Sequence, residues 1–246
     1  MLVGTAVGLE RTPVKRALVT GGTRGIGAAI AKALVETGHE VIVTGTSPQR
    51  RAPDRCTYLC CEFSHDEDVK ALASHVAELE LSVLVNNAGI NTVAPLVEYD
   101  PVEFARIQQV NMMAPFLLCR AVVPGMRKKR FGRIVNMTSI FGIVSKAGRS
   151  AYSASKFGLV GLSRALALEV AADNVLVNCL APGFVDTDMT RRILGEQGIA
   201  QMRSQIPLGR LAEPEEIARY VRFLVSEENT YMTGQHIVVD GGFTCG

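Results

Sequence analysis

The chain has 246 residues, 48% of them apolar, and a formal net charge of +2 at pH 7. A chain of this size and composition can bury one large core, and single α/β domains often reach this length. Acidic and basic residues are interspersed, so there is no basic stripe for nucleic acid, and no apolar run approaches the roughly 20 residues needed to cross a bilayer. We therefore expect a soluble single domain that binds neither nucleic acid nor a membrane.

The N-terminus and the cysteines carry no targeting or metal-binding signal. Residues 2–9 are mildly apolar, but they lack a preceding basic segment and are too short for the apolar region of a signal peptide. We expect residues 1–13 to form a loose extension and residues 14–246 to form the folded domain. The six cysteines include no CxxC pair, and we interpret them as reduced thiols of a cytoplasmic protein that binds no metal.

Seven apolar runs alternate with helical patterns along the chain. Such alternation is typical of parallel βαβ units, and continuous apolar runs indicate strands that helices cover on both faces. The sequence therefore predicts an α/β fold with a Rossmann-type, doubly wound parallel sheet of seven strands. Residues 48–56, between the second and third strands, leave little room for a helix. The predicted strands are residues 17–20, 41–43, 58–61, 83–86, 134–137, 175–180 and 237–239.

A glycine-rich turn follows the first predicted strand. Residues 20–27, TGGTRGIG, lead directly into a helix that is predicted to run to about Thr37. Glycines at Gly21, Gly25 and Gly27 let the backbone turn tightly and approach a pyrophosphate, and the positive end of the helix attracts its charge. The spacing TGxxxGxG differs by one residue from the general GxGxxG pattern, but the turn still predicts a dinucleotide site.

A tyrosine, a lysine and a serine form the candidate catalytic group. Tyr152 and Lys156 stand four residues apart on a helix predicted for residues 152–171, so their side chains share one face. A nearby ammonium lowers the pKa of a phenol, and this predicts that Lys156 tunes Tyr152 as a general acid. Ser139, at the end of the fifth strand, supplies a hydroxyl that can orient a carbonyl. Alone, a tyrosine and a lysine at this spacing are usually a packed ring beside a solvated charge.

An asparagine and a proline predict an interruption in the helix expected for residues 101–125. Pro115 follows Asn111 by four residues, so it removes the N–H group that the Asn111 carbonyl would accept, and its ring pushes on that carbonyl. We therefore expect a kink that frees a backbone acceptor at Asn111.

Two further motifs, NNAG at residues 86–89 and APGFVDT at residues 181–187, complete a familiar set. With the glycine turn, Asn111, Ser139, Tyr152 and Lys156, they stand in the order and approximate spacing of the classical short-chain dehydrogenase/reductase family. The chain resembles this family from about residue 15 to the C-terminus. It looks most similar to the 3-oxoacyl-(acyl carrier protein) reductases, which serve fatty acid biosynthesis.

The resemblance implies a role for each matching residue. Asn111, Ser139, Tyr152 and Lys156 are the implied catalytic residues, with the Asn111 main-chain carbonyl holding a water of a proton relay. Glu62 matches an acidic position that bonds adenine. The implied cofactor-binding residues are Gly21, Thr23, Arg24, Gly25, Ile26, Gly27, Gly45, Thr46, Ser47, Glu62, Phe63, Asn87, Ala88, Gly89, Tyr152, Lys156, Pro182, Gly183, Val185 and Thr187.

The end of the second strand favours NADP(H) over NAD(H). An NAD enzyme usually places a carboxylate there to bind the adenosine ribose, but this chain has Gly45, Thr46 and Ser47. No carboxylate would repel a 2′-phosphate, and Arg24 in the glycine turn could bind one. We interpret Arg50, farther along the loop, as a solvated charge.

The substrate is less well defined by the sequence. Residues 188–207 match the family's substrate lid, which we predict as helices 189–194 and 199–205 broken by Gly195 and Gly198. Arg130 matches a position that grips acyl carrier protein in the family. The partner position is Asp173, which has the wrong charge for that role.

Three functions therefore stay open. The first is NADPH-dependent reduction of a 3-oxoacyl thioester, and the second is oxidation or reduction of another small ketone, sugar or cyclic alcohol. The third is a regulatory protein that binds a dinucleotide without turnover. The resemblance also implies a homotetramer, although the apolar stripe at Leu159, Leu162, Leu166 and Val170 fits contact with a partner or with the chain's own sheet.

Overall fold

A parallel sheet of seven strands lies at the centre of the protein. The computed structural model describes residues 15–245, and the predicted extension, residues 1–13, lies outside them. Across the sheet the strands run in the order β3-β2-β1-β4-β5-β6-β7, and every neighbouring pair is parallel. The predicted fold class is therefore confirmed. The strands are β1 Arg16–Val19, β2 Glu40–Gly45, β3 Cys56–Cys60, β4 Val83–Asn86, β5 Gly132–Met137, β6 Val175–Pro182 and β7 His236–Val239.

Helices cover both faces of the sheet. The helices α1 and α7 pack with Val19 and Val43 on one face, and α2 and α4 pack with Leu18 and Ile42 on the other. Successive strand residues point to opposite faces, so both sides of β1 are buried and its sequence is continuously apolar. The helices are α1 Gly25–Glu36, α2 Asp66–Glu78, α3 Pro101–Gln108, α4 Ala114–Lys129, α5 Ser150–Val170, α6 Asp188–Gln205 and α7 Pro214–Val225.

The strand order reverses at β1, which pairs with both β2 and β4. In doubly wound sheets, ligands bind in the crevice at the carboxyl ends of the strands, where the order reverses. Hydrogen bonds join the two strand ends here, since the Thr20 hydroxyl accepts from the N–H groups of Asn87 and Ala88, each at 2.9 Å. The fold therefore places the glycine turn directly beside the NNAG motif.

The connection between β2 and β3 contains no helix, as its length predicted. The predicted interruption near Asn111 is also present, in the form of a single π-helical segment, Gln109–Met113, between α3 and α4. Proline and π-helical turns are the usual causes of sharp helix kinks, and Pro115 stands in the first turn of α4. This helix continues past the predicted end at Gly125, with a second proline, Pro124, inside it.

The structure settles two details of the predicted helices, the breaks in α6 and the direction of the apolar stripe on α5. Gly195 interrupts α6 with φ 63° and ψ 179°, as predicted, but Gly198 is helical, so the second predicted break is wrong. In α5, Leu159 and Val170 are buried, and Val170 packs in the chain's own core. Leu168, which the predicted stripe omits, is 86% exposed.

No helix in residues 15–245 is long and apolar enough to cross a membrane.

Candidate active site

A groove runs along the carboxyl ends of the strands and gathers most of the predicted site. Every predicted cofactor-binding residue except Ser47 lines it, and Ser139 lines it as well. Asn111 does not line the groove and is buried behind it. Among the described residues, no cluster of His, Cys, Asp and Glu has the arrangement of a metal site.

The glycine turn leaves room for a dinucleotide to approach the backbone. Gly21 and Gly25 have φ of 62° and 51°, a region that favours glycine. A Cβ atom on Gly27 would lie 2.3 Å from the Gly21 carbonyl oxygen and 2.5 Å from the Asn87 amide nitrogen. The Asn87 side-chain amide donates to the Thr20 and Gly21 carbonyls, so it could not move aside without losing these hydrogen bonds. The turn therefore fits a pyrophosphate at the N-terminus of α1.

Ser139, Tyr152 and Lys156 meet at the middle of the groove. Ser139 follows β5, and its hydroxyl accepts a hydrogen bond from the Phe141 N–H at 3.2 Å. The Lys156 Nζ donates to the Met137 carbonyl at 2.8 Å and lies 5.5 Å from the centre of the Tyr152 ring. The α5 spacing and the end of β5 thus bring an acid, a hydroxyl and a cation to one place.

Burial changes the expected acid strengths. The pKa of Lys156 falls to about 8, because burial penalises its charged form. The pKa of Tyr152 is raised by burial, against the lowering effects of the Ser139 hydrogen bond and of Arg149. The sequence predicted a lowered pKa for Tyr152, and the net direction is the opposite; the effect of Lys156 on this pKa stays a prediction. The reason is that desolvation of the phenolate outweighs the attractions around it.

Asn111 is fixed by its side chain. Its Oδ1 accepts from the Ile90 N–H at 2.9 Å, and its Nδ2 donates to the Ile90 carbonyl at 3.0 Å and to the Ser155 hydroxyl at 3.1 Å. A Cβ atom on Gly89 would lie 3.5 Å from Asn111 Oδ1 and 3.7 Å from Lys156 Nζ. Asn111 Oδ1 and Lys156 Nζ therefore both lie beside Gly89, and the asparagine side chain ties the π-helical segment to the residue that follows the NNAG motif.

The adenosine end of the groove is built by β2 and the loop after it. A Cβ atom on Gly45 would lie 3.0 Å from the Thr23 methyl carbon and from the Tyr58 hydroxyl, so a longer side chain would not fit there without rearrangement. Arg24 and Thr46 line the groove, and Arg50 also lines it, within 3.4 Å of the Thr23 hydroxyl. Arg50 is thus part of this wall and not only a solvated loop charge.

Two predicted ligands at this end have partners within the chain. Ser47 does not line the groove, and its hydroxyl donates to the Gln49 side chain at 2.9 Å, so its predicted contact with the cofactor is not supported. The Glu62 carboxylate lines the groove, but one of its oxygens accepts from the Ser64 N–H and hydroxyl.

The sequence did not single out several wall residues. Ile90 and Val110 stand beside predicted site residues and give the groove apolar surface. Their positions in the sequence, directly beside the NNAG motif and Asn111, could have predicted that they line the groove. The others are Met137, Thr138, Asp188, Met189 and Thr190, the last three from the start of α6.

Many known proteins are similar to this chain in sequence and in fold. The family model described as Enoyl-(Acyl carrier protein) reductase matches residues 21–244. The 3-oxoacyl-[acyl-carrier-protein] reductase FabG of Vibrio cholerae is 41% identical, with 93% of this chain and 96% of the relative covered.

Solved structures agree. A Beutenbergia cavernae protein with bound NADP, provisionally assigned as an NAD(P)-dependent gluconate 5-dehydrogenase, has a TM-score of 0.88 and 33% identity, covering 94% of this chain and 97% of that one. A 4-hydroxyisoleucine dehydrogenase complexed with NADH has a TM-score of 0.87 and 28% identity, covering 94% and 99%. The matching sequence, fold and groove lead to one conclusion: the chain belongs to the short-chain dehydrogenase/reductase family.

Proposed function

We propose that the protein reduces a 3-oxoacyl thioester to the 3-hydroxyacyl thioester with NADPH. The observation that carries this proposal is the meeting of Ser139, Tyr152 and Lys156 beside a groove that fits a dinucleotide. The 41% identity to a 3-oxoacyl reductase along nearly the whole chain supports the thioester as substrate. The proximity of Asn111 to this group supports turnover over the non-catalytic alternative.

Each residue of the group has a distinct task in the proposed reaction. When bound, the reduced nicotinamide supplies a hydride to the carbonyl carbon of the substrate. Tyr152 gives its phenolic proton to the carbonyl oxygen, and its raised pKa keeps it protonated at neutral pH. Ser139 holds that oxygen, and the Lys156 ammonium stabilises the phenolate that forms. Each turnover consumes one proton, which the Asn111 carbonyl helps to return to Tyr152.

We assign the cofactor more finely as NADP(H). Arg24 and Arg50 both reach the adenosine end of the groove, and no carboxylate follows β2 there. The Arg24 side chain is 62% exposed, and its nearest acidic partner, Asp188, is 4.0 Å away. Such a weakly held guanidinium is suited to pair with a 2′-phosphate.

Replacing Arg24 with Ala should weaken NADPH binding by about tenfold or more, because a charge-assisted hydrogen bond to phosphate is lost. The KM for NADH should change less than about twofold by the same argument. Arg51→Ala is the matched control, since Arg51 is exposed but does not line the groove. Equal losses for both cofactors in Arg24→Ala would contradict the assignment of the phosphate site.

The surface charges near Arg130 bear on whether the acyl group is carried by acyl carrier protein or by coenzyme A. Arg130, the predicted contact for acyl carrier protein, lies 3.7 Å from Asp173 and donates to the Ala172 carbonyl at 2.8 Å. Asp173 also accepts from Arg127 at 2.6 Å. Because Asp173 offsets these charges, we propose that the protein accepts coenzyme A thioesters at least as well as carrier-protein thioesters.

An assay of NADPH oxidation tests the proposed substrate directly. We expect turnover of acetoacetyl-coenzyme A, with a kcat/KM no lower than that for the acetoacetyl carrier protein, since ion pairs on an exposed surface contribute little. Asp173→Ala should then raise the value for the carrier protein alone. Turnover of neither thioester would refute the proposal, and a strong preference for the carrier protein would refute the narrower claim.

A second candidate is the reduction of the keto group of an oxidised hydroxy acid or sugar acid to the alcohol. The structural similarity to a provisionally assigned gluconate 5-dehydrogenase and to a 4-hydroxyisoleucine dehydrogenase supports it. We also propose the homotetramer that the family resemblance implies. In its support, Met113, Phe116 and Phe157 on and beside α4 and α5 are each more than 40% exposed.

A further inference from the structure

One buried arginine near Tyr152 has a role that the reaction proposed above does not explain. Arg149 precedes α5, three residues before Tyr152, and only 7% of its surface is exposed. Its guanidinium lies over the Phe141 ring, 5.3 Å from the ring centre. In the described part of the chain this guanidinium donates no hydrogen bond and forms no salt bridge. Its main-chain groups, by contrast, bond Lys146 and Ser153.

A second buried arginine shows how the chain satisfies such a group elsewhere. Arg133 is 3% exposed and also stacks on an aromatic ring, with 4.3 Å between its guanidinium carbon and the centre of Phe131. Its guanidinium donates to the carbonyls of Gly132, Asn174 and Asn229, at 2.9 to 3.2 Å. Arg149 stacks in the same way and is nearly as buried, but it has none of these acceptors. Unlike Arg133 Nε, none of its guanidinium nitrogens is fully enclosed without a partner, so these donors are accessible to a ligand.

Arg149 lies close to the reacting tyrosine but outside the dinucleotide groove. Phe141, which it covers, makes edge-to-face contacts with Tyr152 at 6.3 Å and with Phe184 at 6.5 Å between ring centres. Arg149 does not line the dinucleotide groove. Its charge lies close enough to the hydroxyls of Tyr152 and Tyr99 to affect the pKa of each.

Among residues 15–245, no acid forms a salt bridge that would neutralise Arg149. Glu103, which lies near Tyr99, already accepts from Arg106 at 2.6 Å and from the Thr92 hydroxyl at 2.5 Å. The aromatic rings exclude water from one side of the guanidinium, which strengthens its attraction for an anion. A planar guanidinium in such a setting is matched to a carboxylate, which it binds through two parallel hydrogen bonds.

We propose that Arg149 binds a carboxylate of the substrate. The preferred substrate is then a ketone that carries a free carboxylate at the end of its acyl chain. The inference rests on the proposed function, and it narrows the substrate to 3-oxoacyl thioesters whose chain ends in a carboxylate. The reduction leaves this carboxylate chemically unchanged. Arg149 is therefore a specificity-determining residue that positions the ketone beside Tyr152.

The test compares two coenzyme A thioesters, the neutral acetoacetyl compound and the six-carbon 3-oxo compound that ends in a carboxylate. We expect the wild-type protein to prefer the carboxylate compound by at least about tenfold in kcat/KM, because a charge-assisted pair contributes on that scale. In Arg149→Gln the ratio of the two kcat/KM values should fall roughly ten- to a hundredfold, and Arg149→Lys should restore part of it. Lys146→Gln removes an exposed charge from the same loop and should leave the ratio unchanged.

Failure of this inference differs from failure of the proposed function. If both thioesters are reduced without a preference, or if Arg149→Gln does not lower the ratio, the carboxylate site is refuted and the thioester reductase stands. If neither thioester is reduced, the proposed function fails, and free keto acids are compared with their methyl esters. Reduction of the acids alone, lost in Arg149→Gln, would support the carboxylate site, and its absence would refute it.

Discussion

Tyr152→Phe should lower kcat for ketone reduction by roughly 10²- to 10⁴-fold, the usual contribution of a positioned general acid. The substitution removes the proton that the carbonyl oxygen must receive, but it keeps the ring that packs edge-to-face on Phe141. The KM for NADPH should therefore change little. Steady-state kinetics with NADPH and a 3-oxoacyl thioester give both parameters.

Tyr231→Phe is the control for this substitution, because the Tyr231 side chain is 98% exposed and lies outside the groove. It should behave as the wild-type protein. A Tyr152→Phe variant that binds NADPH and keeps more than about a tenth of the wild-type kcat would show that another group donates the proton.

Lys156→Met should lower kcat/KM by about 10²-fold or more, because it removes the cation that stabilises a negative phenolate at Tyr152. In the wild-type protein, kcat/KM for reduction should fall as the pH rises through about 8, where Lys156 loses its proton. Methionine has a similar length and no charge, so the variant should lack this limb of the pH profile. A limb near pH 8 that persists in the variant would assign the titration to another group.

The same variant changes the pH dependence of stability in a defined direction. The pKa of Lys156 falls from 10.5 to about 8 on folding, so the unfolded chain binds more protons between these values. The free energy of unfolding of the wild-type protein should therefore rise, relative to Lys156→Met, by about 3 kcal/mol from pH 8 to 10.5. Urea unfolding of both proteins across this range measures the difference. An unchanged difference would mean that the lysine is not desolvated in the folded state.

The strands and the site motifs could be predicted because they depend on local signals. A buried parallel strand must be apolar on both faces, so β1 and β6 are recognisable as runs without alternation. The glycines of the turn are required by backbone geometry, and a side chain at Gly27 would overlap the Gly21 carbonyl. Pro115 likewise predicted the interruption at Asn111, because a missing N–H is a property of the residue itself.

The features that the sequence did not predict depend on surroundings. The net rise in the pKa of Tyr152 comes from burial by elements distant along the chain, which a four-residue spacing cannot reveal. The Ser47 hydroxyl donates to the Gln49 side chain, and neither this rotamer nor this partner can be predicted from composition. The isolation of Arg149 is visible only when Arg133 and its three carbonyl acceptors can be compared with it in three dimensions.

The most direct test of the proposed reaction follows the hydride itself. Acetoacetyl-coenzyme A is incubated with the wild-type protein and NADPH that carries deuterium at C4 of the nicotinamide, in separate runs for the two faces of the ring. We predict that one of the two runs yields a 3-hydroxybutyryl thioester with a single deuterium on C3, detected by mass spectrometry. Absence of the hydroxy product, or an unlabelled product in both runs, would contradict the account.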